Sequence, residues 1–352
     1  MNLSYDFLAT HDHEQFVYRY DHKTGLRAMI AVHNTTLGPG LGGTRLWHYD
    51  SLEEAAVDVL RLSEGMTYKA AVAGLNLGGG KSVIIADGRE DDPTVRAARF
   101  EQFGRFVEEL GGRYIAAEDV GTQPTDMIQI KRSTNHVVGM PVEKGGSGDP
   151  SPMTAFGVYR GILATVEDVL DRDSLEGIRV SIQGLGKVGI VLAQLLLDAG
   201  AVVIGTDVSD HALEEARAMG VEVVDTDAIY DVPVDIFAPC ALGAVINDIT
   251  IPRLTCKIIA GSANNQLDEA RHGEILHDRG VVFAVDYVIN AGGLINVSYE
   301  VGGYDEARAR EKTAHIYDTI KEMLARSKAE GISTLRAAQQ MAEEALRPMP
   351  VR

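Results

Sequence analysis

Two lysines and an acidic pair are the residues of this chain best suited to proton chemistry. Lys69 lies in Met66-Thr-Tyr-Lys69-Ala-Ala-Val-Ala-Gly74, and Lys81 in Leu77-Gly-Gly-Gly-Lys81-Ser-Val-Ile84, both apolar and glycine-rich. Lysines are rarely buried without a role. One held in an apolar pocket beside another cation gives up its proton more readily, which makes it a usable base near neutral pH. By residue type alone, a pair of surface lysines on loops fits these stretches equally well. The acidic pair, Glu118-Asp119, directly follows the apolar run Arg113-Tyr-Ile-Ala-Ala117. Polar residues at strand ends are where open α/β sheets place their chemistry.

A second group of residues has the spacing of a phosphate-binding turn. Gly184-Leu-Gly186-Lys187-Val188-Gly189 matches GxGxxG, directly after one apolar run and at the start of a helical pattern. Gly184 permits a tight turn, Gly186 lets backbone approach a pyrophosphate, and Gly189 allows close helix–strand packing. The helix N-terminus then offers free N–H groups and a partial positive charge. Asp207 ends the next strand, 18 residues past Gly189, placed to accept hydrogen bonds from a ribose 2′-hydroxyl. A carboxylate there repels a 2′-phosphate, so NAD is expected rather than NADP. Gly78-Gly-Gly-Lys81-Ser82 resembles the end of a nucleoside-triphosphate loop, but the pattern needs glycine where Leu75 stands and a helix where Ser82–Ala86 reads as strand.

Metal and disulfide chemistry find little support. Cys240 and Cys256 are the two cysteines and no CxxC spacing occurs. His272 and His277 are five residues apart, whereas helical ligands pair at three or four. No metal site is expected.

The elements that must position these residues read as two α/β domains. In the first 145 residues, Ala28–Val32, Ser82–Ala86 and Arg113–Ala117 are strand candidates. Ser51-Leu-Glu-Glu54 has capping-box spacing ahead of Leu52, Ala56, Val59, Leu60 and Ser63 at helical intervals. Lys144–Pro152 is the linker candidate, rich in Gly, Ser and Pro. A helix over about 154–170 follows, then strand Arg179–Gln183, helix Lys187–Ala199 and strand Ala201–Gly205. Further strands are expected at Ile236–Ala238, Ile258–Ala260 and Val281–Val285, which makes a doubly wound parallel sheet over 146–329. The charged helical tail from about Ala307, and its end over 330–352 in particular, is expected to pack back on the first domain.

The 352 residues suit two domains. The formal net charge of −18 opposes binding to phosphate backbones and anionic membranes. Met1–Asp6 lacks the regions of a signal peptide, and no apolar run nears membrane-spanning length. A cytoplasmic protein without nucleic-acid or membrane partners is expected.

Thr35–Arg45, Met66–Lys81, Glu118–Thr122, Gly148–Thr154, Phe237–Gly243, Ile259–Ala263, Asp286–Asn290 and Asn290-Ala-Gly-Gly293 together resemble the amino-acid dehydrogenase superfamily that acts on Glu, Leu, Phe and Val, most of all its leucine-type members. The resemblance implies an N-terminal catalytic α/β domain and an NAD-binding Rossmann domain with a cleft between them. It implies reversible oxidative deamination of an L-amino acid to its 2-oxo acid with NAD. Lys69 would bind the substrate carboxylate, helped by backbone around Gly42 and Gly43. Lys81 would be the general base for the attacking water, and Asp119 would shuttle protons to and from the amino group. Asn265 would lie between substrate and nicotinamide, and Thr154 would bond the carboxamide. Lys187, Val188, Cys240 and Ala241 fall in the matched cofactor segments. A homo-oligomer, often an octamer, assembled through the first domain is also implied. Ala70 and Gly40 depart from the pattern, where asparagine and alanine are common.

Glutamate-specific members carry a lysine and a serine where this chain has Leu41 and Val297. A second carboxylate buried there without partners would cost several kcal/mol. Leu41, Ala117, Leu294 and Val297 are expected to line an apolar pocket for branched-chain aliphatic substrates, leucine with isoleucine and valine. Ordinary core packing is the other account of these four residues. An aromatic amino-acid dehydrogenase is the competing activity, since Leu294 occurs in phenylalanine-type pockets. A catalytically silent NAD-binding protein would not need Lys69, Lys81 and Asp119 together.

Overall fold

The computed structural model describes residues 11–347; the segment Met1–Asp6, read as lacking a secretion signal, lies outside them. The chain divides into two compact units at Asp149/Pro150. The first also takes in Val297–Glu306 and the chain from Ala342, whereas the second comprises Pro150–Asn296 and Ala307–Met341. The sequence pattern points instead to 145/146 and places the tail with the first unit. Most of the tail belongs to the second, because it is amphipathic rather than simply charged. Helix Ile316–Glu330 buries Ile316, Ile320, Met323 and Leu324 and packs on helix Ser151–Leu170. Its charges pair along the same contact: Lys321 with Glu167 at 3.1 Å and Lys328 with Asp168 at 2.6 Å.

The first unit contains β1 (Gln15–Asp21), β2 (Leu26–Asn34), β3 (Gly40–Trp47), β4 (Gly78–Ile85) and β5 (Tyr114–Glu118). They form one sheet in the order β1-β2-β4-β3-β5. β1, β2 and β4 pair antiparallel, and β3 runs parallel to both β4 and β5. Side chains alternate between faces along each strand. One face, with Leu26, Ile30 and Ile84, packs under Phe100, Phe103 and Phe106 of helix Pro93–Glu108. The other, with Met29, Val83 and Ile85, packs under Ala56, Val59 and Leu60 of helix Leu52–Val72. Ser51 caps that second helix, its hydroxyl accepting from Glu54 N at 3.1 Å. The Glu54 carboxylate bonds Asp50 N rather than closing the box on Ser51. Leu52, expected on the buried stripe, is exposed, and Ala55 is buried instead.

The second unit holds β6 (Arg179–Gln183), β7 (Val202–Thr206), β8 (Glu222–Val223), β9 (Ile236–Pro239), β10 (Ile258–Ile259) and β11 (Val282–Phe283). The sheet order is β11-β10-β9-β6-β7-β8, with every pair parallel. The order steps outward in opposite directions from β6, which is the doubly wound arrangement expected. The run Val281–Val285 yields only a two-residue strand at the sheet edge, because helix Asp286–Ile289 starts at once. No helix among the described residues is long and apolar enough to cross a membrane.

Candidate active site

In the first unit, β3, β4 and β5 bring the chemistry to one sheet face. Gly43 lies opposite Ala117, and Thr44 opposite Ser82. Lys81, Gly43 and Ala117 therefore form a row across three strands, on the face covered by helix Leu52–Val72. Leu41 and Arg45 flank Gly43 on the same side of β3. Lys69 stands in the last turn of the covering helix. Lys81 is 6% exposed and lies within a strand, so the alternative of two surface lysines on loops does not hold. The strand also removes the nucleoside-triphosphate loop reading.

Pairing between β3 and β4 runs to Leu41–Gly79 and resumes at Thr44–Ser82, passing over Gly42 and Gly43. The Gly42 carbonyl accepts from the Tyr114 hydroxyl at 2.7 Å, and Ser82 Oγ donates to Thr44 Oγ1 at 3.0 Å. This buried polar set anchors the strand from beneath. A Cβ on Gly43 would stand 2.6 Å from the Cβ of Asp119, so the acid reaches its place only over a glycine.

Asp119 is the anionic centre. Lys81 Nζ lies 2.7 Å from its Oδ2, and Arg45 Nε lies 3.1 Å from the same oxygen. Burial pushes the carboxyl up, but Lys81 and Arg45 outweigh burial and hold it below the usual carboxylate range. Its backbone is fixed as well, with Asp119 N donating to Thr122 Oγ1 at 2.8 Å. Such an anion can take a proton from an ammonium group or stabilise a neighbouring cation.

The apolar residues expected around a substrate side chain are all buried. Leu41, Ala117 and Val297 belong to the first unit and Leu294 to the second. Leu41 and Ala117 are not among the residues of the two apolar clusters described above. Leu294 and Val297 are one turn apart on helix Gly292–Ser298.

The second unit carries the turn at the end of β6. Gly184 has φ +98°, and a Cβ on Gly189 would come within 2.0 Å of the Gly184 carbonyl oxygen. Around Gly186, by contrast, a Cβ would meet open space. Helix Lys187–Asp198 starts immediately after it, and Lys187 is exposed at its first position while Val188 is half-buried. Asp207 is already oriented: its Oδ2 accepts from Leu185 N at 2.7 Å and its Oδ1 from Ser209 N at 2.9 Å. The residues fit a dinucleotide, with amides and space for a pyrophosphate and a fixed carboxylate for a ribose diol.

The remaining cofactor candidates also belong to the second unit. Cys240 follows β9, its amide bonded to Gln183 O at 2.7 Å, and Ala241 is exposed beside it. Thr154 donates its hydroxyl proton to Pro150 O at 3.0 Å, so only its lone pairs remain for a carboxamide. Asn265 is exposed at φ +51°, and its carbonyl accepts from Ala244 N at 2.7 Å. Left-handed backbone in a residue other than glycine concentrates at functional sites. The loop that carries it is pinned by Gln266 Nε2 on Gly261 O and by Asn290 Nδ2 on Ser262 O and Asn264 Oδ1.

Sequence inspection missed Arg45, Tyr49 and Asp58, although Arg45 lies in a quoted motif. No local signal marks them: Gly40–Arg45 has the composition of a loop, Tyr49 lies beyond the strand and Asp58 is on a helix. Sequence inspection also missed Glu300, whose carboxylate accepts from Gly139 N, Met140 N and Ser147 N at 3.0, 3.3 and 2.8 Å within the first unit. Nothing local in the sequence marks Glu300.

Known proteins resemble this chain along almost its whole length. Residues 13–136 match the model of the Glu/Leu/Phe/Val dehydrogenase dimerisation domain. Residues 145–213 and 206–347 match that of glutamate/leucine/phenylalanine/valine dehydrogenase. The chain is 52% identical over 346 residues to leucine dehydrogenase of Geobacillus stearothermophilus, covering 98% of this chain and 94% of the relative. It is 47% identical over 343 residues to phenylalanine dehydrogenase of Bacillus thermotolerans, covering 96% and 89%. The crystal structure of L-tryptophan dehydrogenase from Nostoc punctiforme superimposes with a TM-score of 0.84 at 41% identity, covering 97% of this chain and 98% of that one. With family models matched through both units and a relative 52% identical over 98% of the chain, the chain belongs to the Glu/Leu/Phe/Val dehydrogenase family.

Proposed function

We propose that the protein catalyses NAD-dependent, reversible oxidative deamination of branched-chain aliphatic L-amino acids, leucine with isoleucine and valine, to 2-oxo acids and ammonium. The observation that carries the reading is the ion pair of buried Lys81 with half-buried Asp119, the lysine standing in a row with Gly43 and Ala117, in a chain about half identical to leucine dehydrogenases along almost its whole length.

Lys69 binds the substrate carboxylate, with backbone at Gly42 and Gly43 in support. Asp119 takes a proton from the substrate ammonium, which leaves the amine lone pair to assist loss of hydride from Cα. Bound NAD supplies the acceptor for that hydride. The iminium that results donates an N–H hydrogen bond to Asp119, now the neutral acid that holds the proton it has taken. Lys81, as the free amine, removes a proton from water as the oxygen bonds to the iminium carbon. Asp119 returns its proton to the nitrogen, the C–N bond breaks to release ammonia, and the hydroxyl proton passes through Asp119 to that ammonia, leaving ammonium and the 2-oxo acid; Lys81 returns its proton to solvent. On the cofactor side, Gly184, Gly186, Lys187, Val188 and Gly189 hold the pyrophosphate and Asp207 the ribose. Thr154, Cys240, Ala241 and Asn265 contact the rest. Leu41, Ala117, Leu294 and Val297 offer apolar surface and no partner for a second carboxylate, which disfavours glutamate. A homo-oligomer built through the first unit accords with the family model that this unit matches.

The test is NADH formation at 340 nm from NAD with leucine, isoleucine, valine, phenylalanine, tryptophan and glutamate. Highest kcat/KM with an aliphatic substrate is expected. An aromatic substrate in first place would overturn the pocket assignment, and absence of turnover with all six would overturn the activity.

A further inference from the structure

Two cations converge on one oxygen of Asp119, and they differ in kind. Lys81 is the group that gives up and regains a proton during turnover, whereas a guanidinium stays charged at any working pH. Arg45 reaches Asp119 Oδ2 through Nε at 3.1 Å and places Nη1 2.9 Å from Asp58 Oδ2. The Tyr49 hydroxyl donates to that same Asp58 oxygen at 2.6 Å. Arg45 is thus clamped between the reacting carboxylate and an anchor behind it.

We propose that Arg45 is a positioning residue for proton transfer: it pins Oδ2 of Asp119 throughout the cycle, so that Oδ1 is the oxygen presented to the substrate nitrogen even while Lys81 is uncharged. The role rests on the reaction proposed above. Without Arg45, loss of the lysine's charge would leave a largely desolvated carboxylate with no cation and free to rotate. Burial of Arg45 works against its charge, but Asp119 and Asp58 more than compensate and raise its guanidinium further above the working range. Burial and the bond to Asp58 likewise push the Tyr49 hydroxyl up, so it remains a donor and the anchor persists. Strand geometry makes the placement obligatory, because Arg45 follows Gly43 by two residues on the face that carries Lys81.

A recess of about 690 Å³, lined by Arg45, Trp47, Tyr49 and Asp58 among others, opens onto this anchor. It provides the decisive experiment. Arg45→Ala leaves a hole that a guanidinium ion can enter from solvent. With leucine and NAD, kcat is expected to fall about 100-fold, the order of effect of a misplaced catalytic group, with NAD affinity unchanged. The acid limb of the kcat–pH profile is expected to move to higher pH, because Asp119 loses a cation. Guanidinium chloride at concentrations below those that unfold the protein should restore at least about tenfold of that loss, and sodium chloride of equal ionic strength should not. Arg45→Lys, which keeps a charge without the fork, should fall between the two and serves if the alanine variant does not fold. A variant with unchanged kcat, or with reduced kcat, an unmoved acid limb and no guanidinium rescue, would overturn the role. Absence of leucine turnover in the unaltered protein would instead overturn the reaction itself, and this role with it.

Discussion

Lys81 Nζ and Asp119 Oδ2 lie 2.7 Å apart, with the lysine side chain 7% exposed and the carboxylate 21%. In the proposed cycle this pair is made and broken at every turnover. Lys81→Ala is expected to lower kcat by about 10²–10⁴-fold, the range for removal of a general base. NAD affinity should hold, because the cofactor turn belongs to the other unit. Initial rates at 340 nm and a fluorescence titration with NAD check both parts; undiminished turnover would remove Lys81 from the mechanism.

Gly43→Ala addresses the same acid from its backbone side. The new methyl would meet the Cβ of Asp119 at 2.6 Å and the Glu118 carbonyl at 2.8 Å. The carboxylate must shift, and a displacement near 1 Å costs about 100-fold in rate. A folded variant by circular dichroism with depressed kcat is expected. Full activity would mean that Asp119 tolerates relocation.

Asp207→Ala removes the acceptor for Leu185 N as well as the proposed ribose contact. Hydrogen bonds to charged groups contribute about 1.5–3 kcal/mol, so KM for NAD should rise about 10- to 100-fold. The ratio of kcat/KM for NAD to that for NADP should fall. An unchanged ratio would show that cofactor choice lies elsewhere.

His33 predicts a pH dependence of stability. Its Nδ1 pairs with Thr67 Oγ1 at 2.8 Å and its Nε2 with His11 O at 2.9 Å. Burial lowers its value below the ordinary 6.5, against the opposing pull of Glu64, and burial does the same to neighbouring His13. Where the folded value is depressed, the unfolded chain binds the extra proton, so the contribution is whole above about 6.5 and is lost as pH falls through the folded value. Melting temperature is expected to drop between pH 7.5 and 5.5, and to drop less in His33→Gln. Parallel profiles for the two proteins would rule this out.

The elements that the sequence makes legible are those built on apolar runs. Ala28–Val32, Ser82–Ala86 and Arg179–Gln183 announce β2, β4 and β6, and the glycine spacing after β6 announces the cofactor turn. β3 escaped notice although it lies at the centre of the site, because Gly40-Leu-Gly-Gly-Thr-Arg45 has the composition of a loop. Those glycines are required by close approach: a Cβ on Gly42 would stand 1.6 Å from the Gly80 carbonyl oxygen. The demands of the site thus erase the local signature of the strand that builds it. Lys81, Asp119 and Asp207 were legible as types at strand ends or in apolar stretches, and the family resemblance supplied their roles. The cluster of Arg45 with Asp58 and Asp119 was not legible, since it joins residues 13 and 74 positions apart. Side-chain pairing over such separations is settled only by the register of β3 against its neighbours.

Gly186 stands between two glycines that the protein itself requires. Gly184 needs its left-handed backbone and Gly189 its contact with the turn, but Gly186 has φ −70°, ψ −163° and empty space where a methyl would go. A screen that scores only soluble, folded protein would reject alanine at the outer positions and pass it at the middle one. Only selection in the presence of the dinucleotide would detect the difference, so within a six-residue turn the limits set by folding and those set by the ligand fall on different residues.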